Sequence, residues 1–196
     1  EDGGSHGVDG GLDLRVGLGT SATLSATVNP DFGQVELDPA VLNLSVFETF
    51  YPEKRPFFLE DSRVFVLPFG QFPMFHSRRI GGTPGRTELA DDEEVIDKPD
   101  QTTILGAVKV SGKASGWTYG GLTALTAREY ATVEKTSTNT DGTETVSRGR
   151  RMIEPRTMYG VGRIQRDILN GTSNVGAIGT AVLREKDLDA FTGGGD

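Results

Sequence analysis

The sequence contains no cysteine and only two histidines, His6 and His76. The first absence excludes a disulfide scaffold, a zinc–thiolate site and a thiol nucleophile. The second leaves no histidine cluster for a metal, and no cofactor is expected. Hydrophobic residues make up 35% of the 196 positions and aromatics 8%, a low apolar share for a globular domain. No run approaches the ~18 apolar residues of a spanning helix, which excludes a helical membrane protein. Positive charge is also short. Twenty Lys and Arg against 28 Asp and Glu give a net charge of −8, which argues against a nucleic-acid partner. No basic-then-apolar leader opens the chain, so it is expected to be a mature or excised piece.

What is abundant is glycine, 27 residues, and strict alternation. In Leu12–Leu18 one face is Leu12, Leu14, Val16, Leu18 and the other Asp13, Arg15, Gly17. In 21–29, Ala22, Leu24, Ala26 and Val28 oppose serines, threonines and Asn29. Successive side chains of a strand point to opposite faces, so period two predicts two β-strands, joined tightly at Gly19-Thr20. Four more strands are predicted over 103–113, 116–130, 157–169 and 173–185. The first sets Ile104, Val108 and Val110 against Lys109 and Ser111. The second sets Trp117, Tyr119, Thr123 and Leu125 against Thr118, Leu122, Thr126 and Arg128. The only helix the pattern suggests is Pro39–Thr49, so the fold class is all-β.

Short turns at Gly19-Thr20, 113–115 and 170–172 alternate with long polar connections at 81–102 and 131–152. Outer-membrane barrels have that asymmetry, with tight periplasmic turns and longer outside loops. Trp117 and Tyr119, near one strand end, suit an interfacial aromatic belt. The same pattern fits a soluble antiparallel meander whose apolar face covers an ordinary core. If it is a membrane barrel, about six strands cannot close one whose minimum is about eight, and the chain is a segment of an antiparallel transmembrane β-barrel.

Residues 31–80 are different. Nine of the ten phenylalanines fall between Phe32 and Phe75, interleaved with charge and proline. Proline cannot donate to a ladder, so this is no regular strand, and its aromatics need something to bury against. The charges Glu53, Lys54, Arg55, Glu60, Asp61, Arg63, Arg78 and Arg79 nearly balance, which suits a paired network in a partly buried place. The segment 30–100 is thus expected to be an inward-folded, plug-like insertion within one barrel domain spanning 1–196. Nine phenylalanines displayed in water would be an aggregation hazard.

At these residues the sequence resembles a known family. The runs are Thr27-Val28-Asn29-Pro30-Asp31-Phe32-Gly33-Gln34-Val35-Glu36, Asp38-Pro39-Ala40, Asn43-Leu44 and Phe47-Glu48. Pro52-Glu53-Lys54-Arg55-Pro56-Phe57-Phe58-Leu59-Glu60 and Ser77-Arg78-Arg79-Ile80-Gly81 continue it. Ile104-Leu105-Gly106-Ala107-Val108-Lys109 and Ser173-Asn174-Val175-Gly176 fit as well. They resemble Gram-negative outer-membrane proteins of unassigned function in which a periplasmic, family-nine-like carbohydrate-binding domain precedes a large β-barrel. Asp61 departs from an expected glycine and Leu37 from an expected alanine. The resemblance implies a signal peptide, the carbohydrate-binding-like domain and further strands beyond residue 185, so this chain would be the early barrel region. It implies no catalytic residues.

The expected function is therefore non-enzymatic passage or binding of a solute at the outer membrane, with a carbohydrate-derived ligand suggested by the family's neighbouring domain. Expected partners are outer-membrane lipid, lipopolysaccharide, the barrel's remaining strands and a saccharide. Glu53, Lys54, Arg55, Glu60, Arg78 and Arg79 are expected to line the lumen or fix the plug. One alternative is a soluble β-rich carbohydrate-binding module whose Trp117 and Tyr119 stack on sugar rings. Another is a carbohydrate-active hydrolase using a carboxylate pair such as Glu53 and Glu60. His76 beside Ser77 shows no oriented acidic partner for a triad. The acidic stretch Asp91, Asp92, Glu93, Glu94, Asp97 lacks the glycine-centred spacing of a calcium loop. Arg148, Arg150 and Arg151 form a small basic patch suited to lipopolysaccharide phosphate or to a solvated loop.

Overall fold

A computed structural model describes residues 10–30, 52–67, 74–85, 93–138 and 144–196. These residues are all-β and every strand pairing is antiparallel. The strands are β1 (Leu12–Leu18), β2 (Ala22–Val28), β3 (Glu93–Asp97), β4 (Ile104–Ala114) and β5 (Trp117–Thr126). They continue as β6 (Glu129–Thr138), β7 (Glu144–Glu154), β8 (Thr157–Ile168), β9 (Ser173–Arg184) and β10 (Ala190–Gly195). Seven form one sheet in the order β1-β2-β4-β5-β8-β9-β10, and a second has the order β3-β6-β7. The larger sheet is open: its edge strands β1 and β10 do not pair with each other.

The turns follow from local chemistry. β1 and β2 register Leu12 with Val28 through Leu18 with Ala22, and Gly19 takes the positive φ, +68°, that the tight turn needs. β4 and β5 join through Ser115 and Gly116, both at positive φ, the hairpin geometry whose twist matches the flanking strands. With the turn at Leu169–Gly171, these short connections lie at one end of the sheet. The 29–103 and 127–156 connections leave from the other.

The structure corrects three expectations. Ten strands are present among the described residues, not about six. β3, β6 and β7 occupy stretches that read as polar loops, because only Ala131, Val133 and Ile153, with Val95 packed against them, form a core there. β10 is glycine-rich and carries no alternation. Second, 116–130 is not one strand: the chain breaks at Ala127-Arg128 between β5 and β6. Third, Ile104 does not share a face with Val108 and Val110. A register shift between Ile104 and Gly106 turns Ile104 to the buried side. The helix expected over Pro39–Thr49 lies outside the described residues.

The register fixes what each face of the larger sheet carries. One row aligns Ser25, Lys109, Leu122 and Val161; the next aligns Ser111, Gly120, Arg163 and Ile178. All eight are buried. The opposite face presents Leu14, Val16, Val108, Leu125, Ile164 and Val175, all exposed. The bare face is apolar, where a sheet of a water-soluble domain shows its polar one, and the covered face mixes Lys109, Ser111 and Arg163 with Leu122, Val161 and Ile178.

Candidate functional site: an aromatic segment laid across the covered sheet face

Residues 52–67 and 74–85 lie over the buried face. The local chain explains how. Arg55 is extended, and Pro56 at the first helical position starts a single helical turn, α1 (Pro56–Leu59). Asp61 then adopts a left-handed conformation, φ +53°, and a 3₁₀ turn follows over Ser62–Phe65. These reversals bring Phe58 and Phe65 down onto Ala107, Leu122, Ala124, Val161 and Ile178, with Ile80 and Ile104 completing the core. Phe57 meets Phe58 edge-on, their centroids 5.1 Å apart.

The segment crosses the whole sheet. On β1, Arg15 meets Glu60 at 3.0 Å. On β4, the Lys109 ammonium donates to the carbonyls of Phe57 and Glu60, each at 2.5 Å, and Ser111 donates to Asp61 at 2.9 Å. On β5, a side chain at Gly120 would lie 2.4 Å from Val64, so only glycine admits this approach. Arg163 on β8 donates to the Val66 carbonyl and, at 2.6 Å, to Asp196. At β10 the Met74 sulfur sits where a Gly194 side chain would be.

A second knot ties the segment to itself. Arg55, 5% exposed, grips Glu53 through both oxygens, at 2.8 and 2.7 Å. Its remaining donors reach the Ile80 carbonyl at 2.6 Å and the Ser77 carbonyl at 2.8 Å. Ser77 donates to Glu53 at 2.6 Å, and the Arg55 guanidinium lies 4.2 Å from the centre of the Phe58 ring. Burial pushes the Glu53 carboxyl up, but hydrogen bonds from Arg55 and Ser77, with the Arg55 charge, outweigh it and hold the group below the ordinary carboxylate range.

Of the residues singled out from sequence, Glu53 and Arg55 are brought together in this knot. Arg78 and Arg79 belong to the 3₁₀ turn Ser77–Arg79 that carries its other half. Lys54 is exposed beside it, and Glu60 is instead at the β1 end, paired with Arg15. The Ser77 hydroxyl is committed to Glu53, which leaves His76 beside a serine already in use. Among the described residues no group of His, Asp and Glu is arranged to hold a metal ion. Glu93 pairs with Arg151 and Glu134 with Arg148, so two arginines of the basic patch already face carboxylates. Trp117 and Tyr119 lie on the outer face at the short-turn end. The Arg166 guanidinium stands 5.0 Å from the Trp117 ring, and Tyr119 covers Gly112 on the neighbouring strand.

The residues not singled out as sites are the sheet's own anchors, Lys109 and Arg163. Lys109 is legible in retrospect as a lysine inside an apolar strand. Arg163 carries no such signal, since β8 mixes glycine, apolar and charged residues around it.

The sequence of residues 1–194 matches a domain of unknown function, DUF5916. The chain belongs to this family. The match covers both sheets and the segment laid across them, so the description applies to the whole structure and not to one part. No curated protein matches the chain, and no solved structure does.

Proposed function

We propose that this DUF5916 chain forms part of the wall, and the inner constriction, of an outer-membrane β-barrel that passes or binds a solute without catalysis. The observation that carries this reading is the bare apolar face of the seven-stranded sheet, set against a covered face that holds charged side chains. Lys109, Arg163, Ser25 and Thr27 on one face are buried, while Leu14, Val16, Val108 and Val175 on the other are exposed. Water would penalise that exposed face, and lipid would not.

Two further features support it. From Trp117 to Leu125 the outward side chains of β5 span eight residues, about 27 Å of strand and about 20 Å once tilted by roughly 40°. That approaches the ~25 Å apolar band of outer-membrane barrels. Trp117 and Tyr119 sit at the short-turn end, the periplasmic end in such barrels, where an aromatic girdle belongs. On this reading the partners are outer-membrane lipid and lipopolysaccharide, the remaining strands of the same barrel, and a solute of carbohydrate type suggested by the family resemblance. Against a sugar-binding module stands the engagement of both aromatic rings with Arg166 and Gly112.

The test uses nitroxide labels at Leu14, Val108 and Val175 in the full-length protein in membranes. The expected result is relaxation by oxygen, which partitions into lipid, and none by a water-soluble nickel chelate. Relaxation of all three by the chelate places the sheet in water and ends the barrel reading.

A further inference from the structure

The bare face of the larger sheet ends in a change of chemistry. At the end from which the 127–156 connection leaves, its last apolar row is Leu125, Met158 and Leu183, in register across β5, β8 and β9 and all exposed. Arg156 and Glu185 lie two residues beyond Met158 and Leu183, which keeps them on the same face, about 7 Å further along the strands. The Glu185 amide donates to the Arg156 carbonyl at 3.0 Å and carries the pairing across that step.

Cations gather at this rim. Arg128 grips Glu185 through Nε at 2.7 Å and through a second nitrogen, with the Tyr130 hydroxyl beside it. The Arg150 guanidinium stands 4.8 Å from the centre of the Tyr130 ring. The Arg128 hydrogen bond outweighs burial and, with the charges of Arg128, Lys186 and Arg156, holds the Glu185 carboxyl below the ordinary carboxylate range. Arg150, Arg156 and Lys186 are exposed, and their side-chain N–H groups bond to nothing among the described residues. The nearby carboxylates of Glu129, Asp187 and Asp189 accept from the backbone amides of Thr103, Leu188 and Arg184.

We propose that this rim binds a phosphate group of a lipid whose acyl chains pack on the Leu125–Met158–Leu183 row, with Arg150, Arg156 and Lys186 as its donors and Arg128 fixed behind them by Glu185. This rests on the barrel reading above and adds a lipid site to it. The long-connection end is the outer end in such barrels, so the lipid is the lipopolysaccharide of the outer leaflet. A guanidinium takes two phosphate oxygens in parallel, and an ammonium meets a third as a point charge. The exposed apolar row next to the cations favours a lipid headgroup over free phosphate, since one molecule then satisfies both. The arginines farther out on β7 are poorer donors, because Arg148 and Arg151 already face Glu134 and Glu93.

The test titrates the full-length protein in detergent micelles with three probes, binding being read by calorimetry. They are lipopolysaccharide, the same lipopolysaccharide stripped of its phosphates, and inorganic phosphate. The intact lipid is expected to bind at least about tenfold more tightly than either other probe. Arg156→Gln combined with Lys186→Gln is expected to weaken it about thirtyfold, and Lys113→Gln, at the opposite end of the sheet, to leave it unchanged. Equal binding of the stripped lipid, inorganic phosphate bound as tightly as the lipid, no effect of the double substitution, or an equal effect of Lys113→Gln would overturn the site. A Val108 nitroxide read in vesicles separates that failure from one of the barrel reading. Relaxation by oxygen leaves the barrel standing without this site, and relaxation by the nickel chelate ends both.

Discussion

Arg55 satisfies five neighbours at once: both Glu53 oxygens, two carbonyls and the Phe58 ring. Its value lies less in net attraction than in the cost of removing it, since Glu53 would then be a buried carboxylate without its countercharge. Arg55→Met is expected to destabilise the protein by about 3–5 kcal/mol, measured by chemical denaturation of the full-length protein. The same pair sets an acid limit. The folded Glu53 carboxyl titrates below its unfolded counterpart, so its contribution is fully present above the unfolded value and is lost as pH falls through the lowered one. Protease protection of Pro52–Leu67 is therefore expected to fall on acidification, and Glu53→Gln to flatten that acid limb. Two glycines on opposite faces make a sharper contrast. Gly120→Ala drives a methyl into Val64 and is expected to cost about 1–3 kcal/mol, partly recovered by adding Val64→Ala. Gly162→Ala meets nothing within 4 Å and is expected to be neutral or slightly stabilising, both measured by the same chemical denaturation.

The unit that matters among the elements is the 52–67 stretch, one turn of helix and one 3₁₀ turn too short to be stable alone. Its shape is imposed by the sheet. The Lys109 ammonium takes the carbonyls of Phe57 and Glu60, groups that a four-residue helix leaves without intrahelical donors. Lys109→Met keeps the length of the side chain and removes the donors. Amide exchange at Phe58, Leu59 and Glu60 is expected to accelerate, corresponding to about 1–3 kcal/mol of local stability. Exchange in β8 and β9 is expected to stay unchanged, because their ladder does not involve the segment. Equal acceleration in β8 and β9 would show that Lys109 supports the whole sheet.

Across the whole molecule, a sheet with one face covered and the other apolar and bare is favoured in a medium that accepts the bare face. If that medium is lipid, charge is penalised on one side of a strand only. Val108→Arg, on the outer face of β4, is expected to cost about 2–4 kcal/mol of folding into vesicles. Ser111→Asn, three residues on and facing inward, is expected to cost much less. Equal costs would mean that both faces of β4 share one environment.

Strand pairing in β1–β2 and β4–β5 was legible from the sequence because alternation and turn residues act locally: Leu12–Leu18 has one solution for its side chains whatever surrounds it. The aromatic segment's need for burial was legible for the same reason, and so was a balance of charge around it, but not that Glu53 pairs with Arg55. What the sequence could not settle is where the segment goes. Gly120, Gly194 and Arg163 are met by Val64, Met74 and Val66 across separations of tens of residues, and nothing local marks them. The bulge at Ile104, and the strands in the polar stretches 93–97 and 129–154, were likewise decided by tertiary pairing. Sequence by itself determined the two faces of each alternating strand, since side-chain direction is a property of the backbone. Only the tertiary structure decided which face is covered, since burial depends on what another part of the chain brings to it.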